Sequence, residues 1–154
     1  MPKSSSLFPR AFPPLLILTL ALALSAGCAS PTGSESAAGP VGVRENGLLV
    51  LGPKDQNRVA EIRVGERFAV RLPENPTAGF SWAVAESDSR LLALDSTDYN
   101  PPEEAGFIGA RGDRTFTFTA REPGEVPLAL KYWRFREGDA SITERYTVTV
   151  RIVP

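Results

Sequence analysis

Asn75-Pro76-Thr77-Ala78-Gly79-Phe80-Ser81-Trp82 stands between two runs that alternate as strands do, residues 67–72 (RFAVRL) before it and 80–85 (FSWAVA) overlapping its end. Pro76 fixes φ and lacks an N–H, so it cannot lie inside a paired strand. It also pushes Asn75 towards extended geometry. Gly79 supplies the positive φ that turns the chain back. These residues predict a stiff loop at the tip of a strand pair. A loop preset by its own composition enters a cleft with little ordering entropy to lose. Asn-Pro plus Gly alone more often marks a plain turn, so the wider sequence has to separate the two readings.

Outward from this loop the hydrophobic period is two rather than 3.6. Residues 47–51 and 58–64 read as short strands before it. Beyond it come 91–94, a short buried segment, and 114–119, which puts Phe116 and Phe118 on one face. Residues 125–133 set Val126, Leu128, Leu130 and Tyr132 inward, and 142–153 bring Tyr146, Val148, Val150 and Ile152 into phase. Short strands, Pro/Gly turns and no amphipathic helix describe an all-β chain folded as an antiparallel β-sandwich. There is no internal repeat.

The loop string resembles the signature N-P-T-T-G-[FY], soon followed by Trp, of chagasin-type inhibitors of papain-like cysteine peptidases. Asn75, Pro76, Thr77, Gly79, Phe80 and Trp82 match it, and Ala78 replaces the second Thr. A second family motif, G-x-G-G ahead of an F-x-F strand, resembles Gly109-Ala110-Arg111-Gly112 with Phe116 and Phe118; Arg111 stands where Gly is usual. A third, P-G-x-x-x-L-x-L-x-Y-x-R-P-[WF], resembles Pro123, Gly124, Leu128, Leu130, Tyr132 and Arg134, with Phe135 and Arg136 in the Pro and aromatic positions. The resemblance covers residues 47–154. It implies an immunoglobulin-like β-sandwich with three loops at one end forming a wedge. Residues 75–80 would occupy a peptidase's catalytic centre, Thr77 near its Cys–His pair. Gly109, Ala110, Arg111 and Gly112 on one side, and Trp133, Arg134, Phe135 and Arg136 on the other, would flank the cleft. Inhibition would be steric, reversible and competitive.

The N-terminus reads independently. Lys3 and Arg10 form a positive region, residues 15–24 (LLILTLALAL) an apolar core, and Ser25-Ala26-Gly27 a small-residue stretch before Cys28. Ten residues are about half of what spans a bilayer, so residues 1–27 read as a signal peptide. Cys28, the one cysteine, resembles the acylated first residue of a bacterial lipoprotein. Such a residue carries lipid enough for stable membrane anchoring. Ser25 departs from the usual Leu of that motif. Ala29, rather than Asp, follows the cysteine; by resemblance to sorting rules this favours the outer membrane, periplasmic side. Residues 28–46, rich in Ser, Ala, Gly and Pro, read as a flexible tether with an r.m.s. reach of roughly 20–25 Å. The domain is expected over 47–154.

Composition excludes several classes. The chain has no His, which removes the usual general base, the commonest metal ligand and any Ser–His or Cys–His couple. Catalytic residues, a metal site and a cofactor are therefore not expected. Loss of Lys3 and Arg10 with the signal peptide takes the formal charge from −1 to −3, and no basic stripe suggests nucleic acid. A monomer is expected. Residues 95–113 form the longest run without strand pattern; its adjacent Glu103 and Glu104 read as solvated surface. Trp133 and Phe135 share a strand face, which serves either as a second core face or as exposed contact surface. Aromatics and Arg favour interface hot spots. The rival to inhibition is a non-inhibitory immunoglobulin-like binding or structural envelope lipoprotein, favoured by Arg111, Phe135 and Arg136.

Overall fold

Period-two alternation builds two sheets that close on one core. The chain's structure, a computed structural model, describes residues 39–102 and 110–154. In chain order the strands are β1 Val43–Glu45, β2 Leu48–Leu51, β3 Val59–Arg63, β4 Arg67–Glu74, β5 Ser81–Glu86, β6 Leu92–Asn100, β7 Gly112–Ala120, β8 Gly124–Trp133 and β9 Glu144–Val153. One sheet has the order β1-β2-β4-β7-β6 and the other β3-β9-β8-β5. They face each other as an immunoglobulin-like β-sandwich. Most pairings are antiparallel, but β2 with β4 and β3 with β9 run parallel. The expected signal peptide, Cys28 and most of the expected tether lie outside the described residues.

The inner faces are the apolar rows read from the sequence. Phe68, Val70 and Leu72 of β4 lie opposite Phe118, Phe116 and Arg114 of β7, and Phe68 stacks on Phe118 at 5.3 Å between centroids. From the other sheet come Trp82, Val126, Leu128, Leu130, Tyr146, Val148, Val150 and Ile152, all buried. The Tyr146 hydroxyl donates to the Gly52 carbonyl at 3.1 Å, so its burial leaves no unpaired donor. That burial pushes the phenol above its ordinary range.

Three boundaries differ from expectation. Pairing starts before residue 47, because Val43–Glu45 folds back on β2. Asn46 and Gly47, at φ 50° and 86°, make the two-residue turn that Asn-Gly favours, within a stretch whose composition resembles a linker. The 95–113 run is shorter than its polarity suggests, since β6 continues to Asn100 and β7 begins at Gly112. β6 is an edge strand and tolerates Asp95, Thr97 and Asp98 facing water. Strand β4 extends through Pro73 to Glu74. β2 ends opposite Val70, so beyond that point β4 is paired on one side only, where a strand accepts proline.

Gly112 opens β7 opposite Glu74. A Cβ there would sit 2.2 Å from the Asn100 carbonyl oxygen and 2.7 Å from the Tyr99 hydroxyl oxygen. The backbone oxygen cannot swing away without opening the β6–β7 pairing. Gly112→Ala is expected to destabilise the domain by about 1–3 kcal/mol, read as a lower midpoint in chemical denaturation at unchanged slope.

Candidate functional site

The signature loop rests on a buried carboxylate. Strand alternation that points Phe68, Val70 and Leu72 inward also points Glu74 inward, and it is 1% exposed. Its carboxylate takes the guanidinium of Arg114 through Nη2 at 2.5 Å and Nε at 3.1 and 3.2 Å. It also accepts from the backbone N–H of Trp82 at 2.8 Å. Both ends of the intervening loop are thereby fixed to one group. The bonding to Glu74 raises the Arg114 pKa further above its ordinary value, and Arg114 lies over the Tyr99 ring at 5.3 Å. A second clasp runs alongside, where the Trp82 indole N–H donates to the Pro73 carbonyl at 2.9 Å.

Above this base the loop satisfies itself. The side chain of Asn75 caps a 3-10 turn, Pro76–Ala78, accepting from the Thr77 N–H at 3.1 Å and the Thr77 hydroxyl at 2.6 Å. Gly79 closes the turn at φ 75°, ψ 8°, in the left-handed region expected of it. The Tyr132 hydroxyl meets the Asn75 backbone twice, accepting from N–H and donating to the carbonyl, each at 3.2 Å. Pro76, Thr77, Ala78 and Gly79 remain exposed at the tip.

Phe80 joins this loop to the end of β8. Its ring stacks on Tyr132 at 5.4 Å, Tyr132 tilts against Trp82 at 5.1 Å, and the Arg134 guanidinium lies over the Phe80 ring at 4.3 Å. Arg134 Nε donates to the Ala78 carbonyl at 3.2 Å, and its Nη1 pairs with Glu137 at 2.9 Å. Cation, aromatic ring and carbonyl thus tie two loops that are distant in sequence.

The segment after Arg134 is a bent 3-10 stretch, Phe135–Ser141, with Gly138 at φ 68°. The Ser141 hydroxyl pins it, accepting from the Arg134 N–H at 2.9 Å and lying 2.6 Å from the Gly138 carbonyl. Lys131 bonds Asp139 at 2.6 Å and sits 3.5 Å from the Trp133 ring centroid. That contact holds the Asp139 carboxyl below its usual range. β8 ends at Trp133, so Trp133 and Phe135 do not share a strand face. They still meet edge to face at 5.8 Å. Trp133 is half-buried, whereas Phe135 is 80% exposed.

Residues 75–80 and Arg134, Phe135 and Arg136 are therefore brought together, and Ala78, Gly79 and Arg134 to Glu137 line a shallow depression between them. Ala110, exposed Arg111 and Gly112 reach the same end of the first sheet, through the Glu74–Gly112 register. Gly109, Glu103 and Glu104 lie outside the described residues. The motifs missed Glu74, Arg114 and Ser141. Glu74 and Arg114 carry a readable signal, being in phase with Phe68 and Phe118; Ser141 carries none. Among the described residues no group of three His, Cys, Asp or Glu side chains is placed to hold a metal.

The site is a set of exposed loops, hydrogen-bonded to one another, at one end of a β-sandwich. The family model "Chagasin family peptidase inhibitor I42" matches residues 61–150. Chagasin of Trypanosoma cruzi is 32% identical over 94 residues, spanning 58% of this chain and 84% of that protein. The solved structure of amebosin is similar at 26% identity and TM-score 0.57, covering 75% of this chain and 100% of its own. The crystal structure of the cysteine protease inhibitor EhICP2 from Entamoeba histolytica shares the fold at 20% identity and TM-score 0.63, over 69% of this chain and 96% of that one. This chain belongs to the chagasin family of peptidase inhibitors, I42. The family is one of inhibitors and not of enzymes.

Removing the Glu74 carboxylate strands the Arg114 guanidinium and the Trp82 N–H together. Glu74→Ala is expected to cost about 3 kcal/mol and to lower Tm by on the order of 10 °C. Glu74→Gln keeps an acceptor for Trp82 and should lose less. Thermal melts of both variants check the order; equal losses would contradict the double role.

Proposed function

We propose that the protein is a reversible, competitive inhibitor of papain-like cysteine peptidases that blocks the active-site cleft with the loop 75–80, flanked by the segments at 110–112 and 133–136. The observation that carries this reading is the state of the tip. Pro76 to Gly79 are exposed, yet Asn75, Thr77 and Ala78 already have polar partners within the fold. Such a loop binds with its shape formed in advance, which limits the ordering cost of association. The target class comes from the loop signature and from membership of the family. A convex tip inserted into a cleft, flanked on both sides, fits an interface of standard size, on the order of 1,600 Å².

The strain at Gly79 provides the test. Its Cβ position is open, so a substitution acts through φ alone. Gly79→Val should distort the tip at a local cost of roughly 1–3 kcal/mol and weaken inhibition of papain at least tenfold, while Tm falls by only on the order of 5 °C and the domain stays folded at the assay temperature. Thr77→Ala removes one hydroxyl bond and leaves the Thr77 N–H to Asn75, so its loss should be smaller. The measurement is the inhibition constant of each variant beside a melt. A folded wild type that inhibits no papain-like enzyme at micromolar concentration sinks the reading. The sandwich would then be a non-inhibitory binding module of the envelope.

The same proposal makes the protein a bacterial lipoprotein, cut before Cys28, acylated there and held at the outer membrane facing the periplasm. The short apolar core at 15–24, the small residues before Cys28 and Ala29 after it support this. Cys28→Ser should abolish incorporation of a palmitate analogue; equal label on wild type and variant would rule the anchor out.

A further inference from the structure

The flanking segment after β8 carries two exposed side chains with little part in the fold among the described residues. Arg134 is engaged with Phe80, Ala78 and Glu137, and Lys131 with Trp133 and Asp139. Arg136 is exposed and, among the described residues, has neither an ion-pair nor a hydrogen-bond partner. Beside it Phe135 is 80% exposed, with only the edge-to-face contact to Trp133. The backbone beneath them is nonetheless fixed by Ser141, by the Gly138 bend and by the Lys131–Asp139 bond. An exposed aromatic ring and an exposed cation on a braced backbone border the depression next to Ala78 and Gly79.

Resting on the inhibitory reading above, we infer that Phe135 and Arg136 form an apolar-plus-cationic foot that selects peptidases bearing a carboxylate beside an apolar patch on the cleft rim. Phe135 anchors by burial, as exposed aromatics at binding sites do. Arg136 acts at the rim, where charge governs encounter rate and partner choice more than lifetime. A guanidinium also pairs with a carboxylate in a two-pronged geometry that Lys cannot reproduce. A basic cleft rim would be disfavoured by like-charge contact.

Two papain-like peptidases, one net-acidic and one net-basic at the assay pH, separate the outcomes. Association and dissociation rates are measured with detergent-solubilised full-length protein and with Arg136→Glu, Arg136→Ala and Phe135→Ala. At low salt the wild type should associate faster with the acidic enzyme. Arg136→Glu should slow that association roughly tenfold and Arg136→Ala by less. The difference should vanish near 1 M salt, where screening shortens the reach of charge to about 3 Å. Phe135→Ala should instead raise the dissociation rate. Melts matching wild type are expected, since neither side chain supports the fold. If Arg136→Glu and Arg136→Ala bind the acidic enzyme as fast as wild type, with the same salt slope, while inhibition persists, the selective foot is refuted and the inhibitor reading stands. If the wild type inhibits neither enzyme, both fall.

Discussion

Everything at the functional end of this domain depends on one buried carboxylate. Glu74 occupies an inward position in a row otherwise filled by Phe68, Val70 and Leu72, so it must find partners or leave the core. It finds two: the guanidinium of Arg114, forty residues away, and the Trp82 N–H, eight residues away. One group therefore joins the neighbouring strand β7 and closes the mouth of the loop that leaves β4. The arrangement converts the cost of an inward charge into a fixed distance between the two ends of the loop.

Rigidity then passes outward by contact. Trp82, Tyr132, Phe80 and Arg134 run in contact from the core to the surface, with 5.1 Å and 5.4 Å between successive ring centroids and 4.3 Å from the Phe80 centroid to the guanidinium carbon. Trp82, Tyr132 and Arg134 also carry directional bonds, which fix orientation as well as spacing. The loop tip and the segment after β8 consequently form one body, linked through Arg134 to the Ala78 carbonyl. The chain's departures from the family motif fall where they leave this scaffold intact. Ala78 contributes its carbonyl, which any residue supplies, and Phe135 and Arg136 project from the braced backbone. Arg111 is exposed beside Gly112, the position where the backbone approach forbids a side chain.

Much of this was legible in the residues. The alternation at 114–119, 125–133 and 142–153 gave the strands and their inward faces, and Pro76 with Gly79 gave the loop. What escaped has identifiable causes. Pro73 looks like a strand terminator, which hid Glu74 one position beyond it. The polar β6 resembles a loop because an edge strand need bury little of its surface. Val43–Glu45 resembles a tether by composition, although the Asn-Gly turn after it marks a hairpin. Phe135 follows Trp133 in the strand period, but the chain leaves the sheet between them.

The sequence by itself determined what is encoded within a few residues: the turn that Asn75 caps, the left-handed Gly79, the period that sorts inward from outward side chains. These follow from local sterics and short hydrogen bonds, which need no distant partner. Only the tertiary structure decided which loops meet, and which arginine is spent on architecture and which, among the described residues, is left without a partner. Strand phase marks Arg114 as inward and the loop motif marks Arg134, but neither signal names the partners these arginines take. They are occupied because strand pairing brings Glu74 and the Ala78 carbonyl within reach across separations of 40 and 56 residues, and no local rule sets that register.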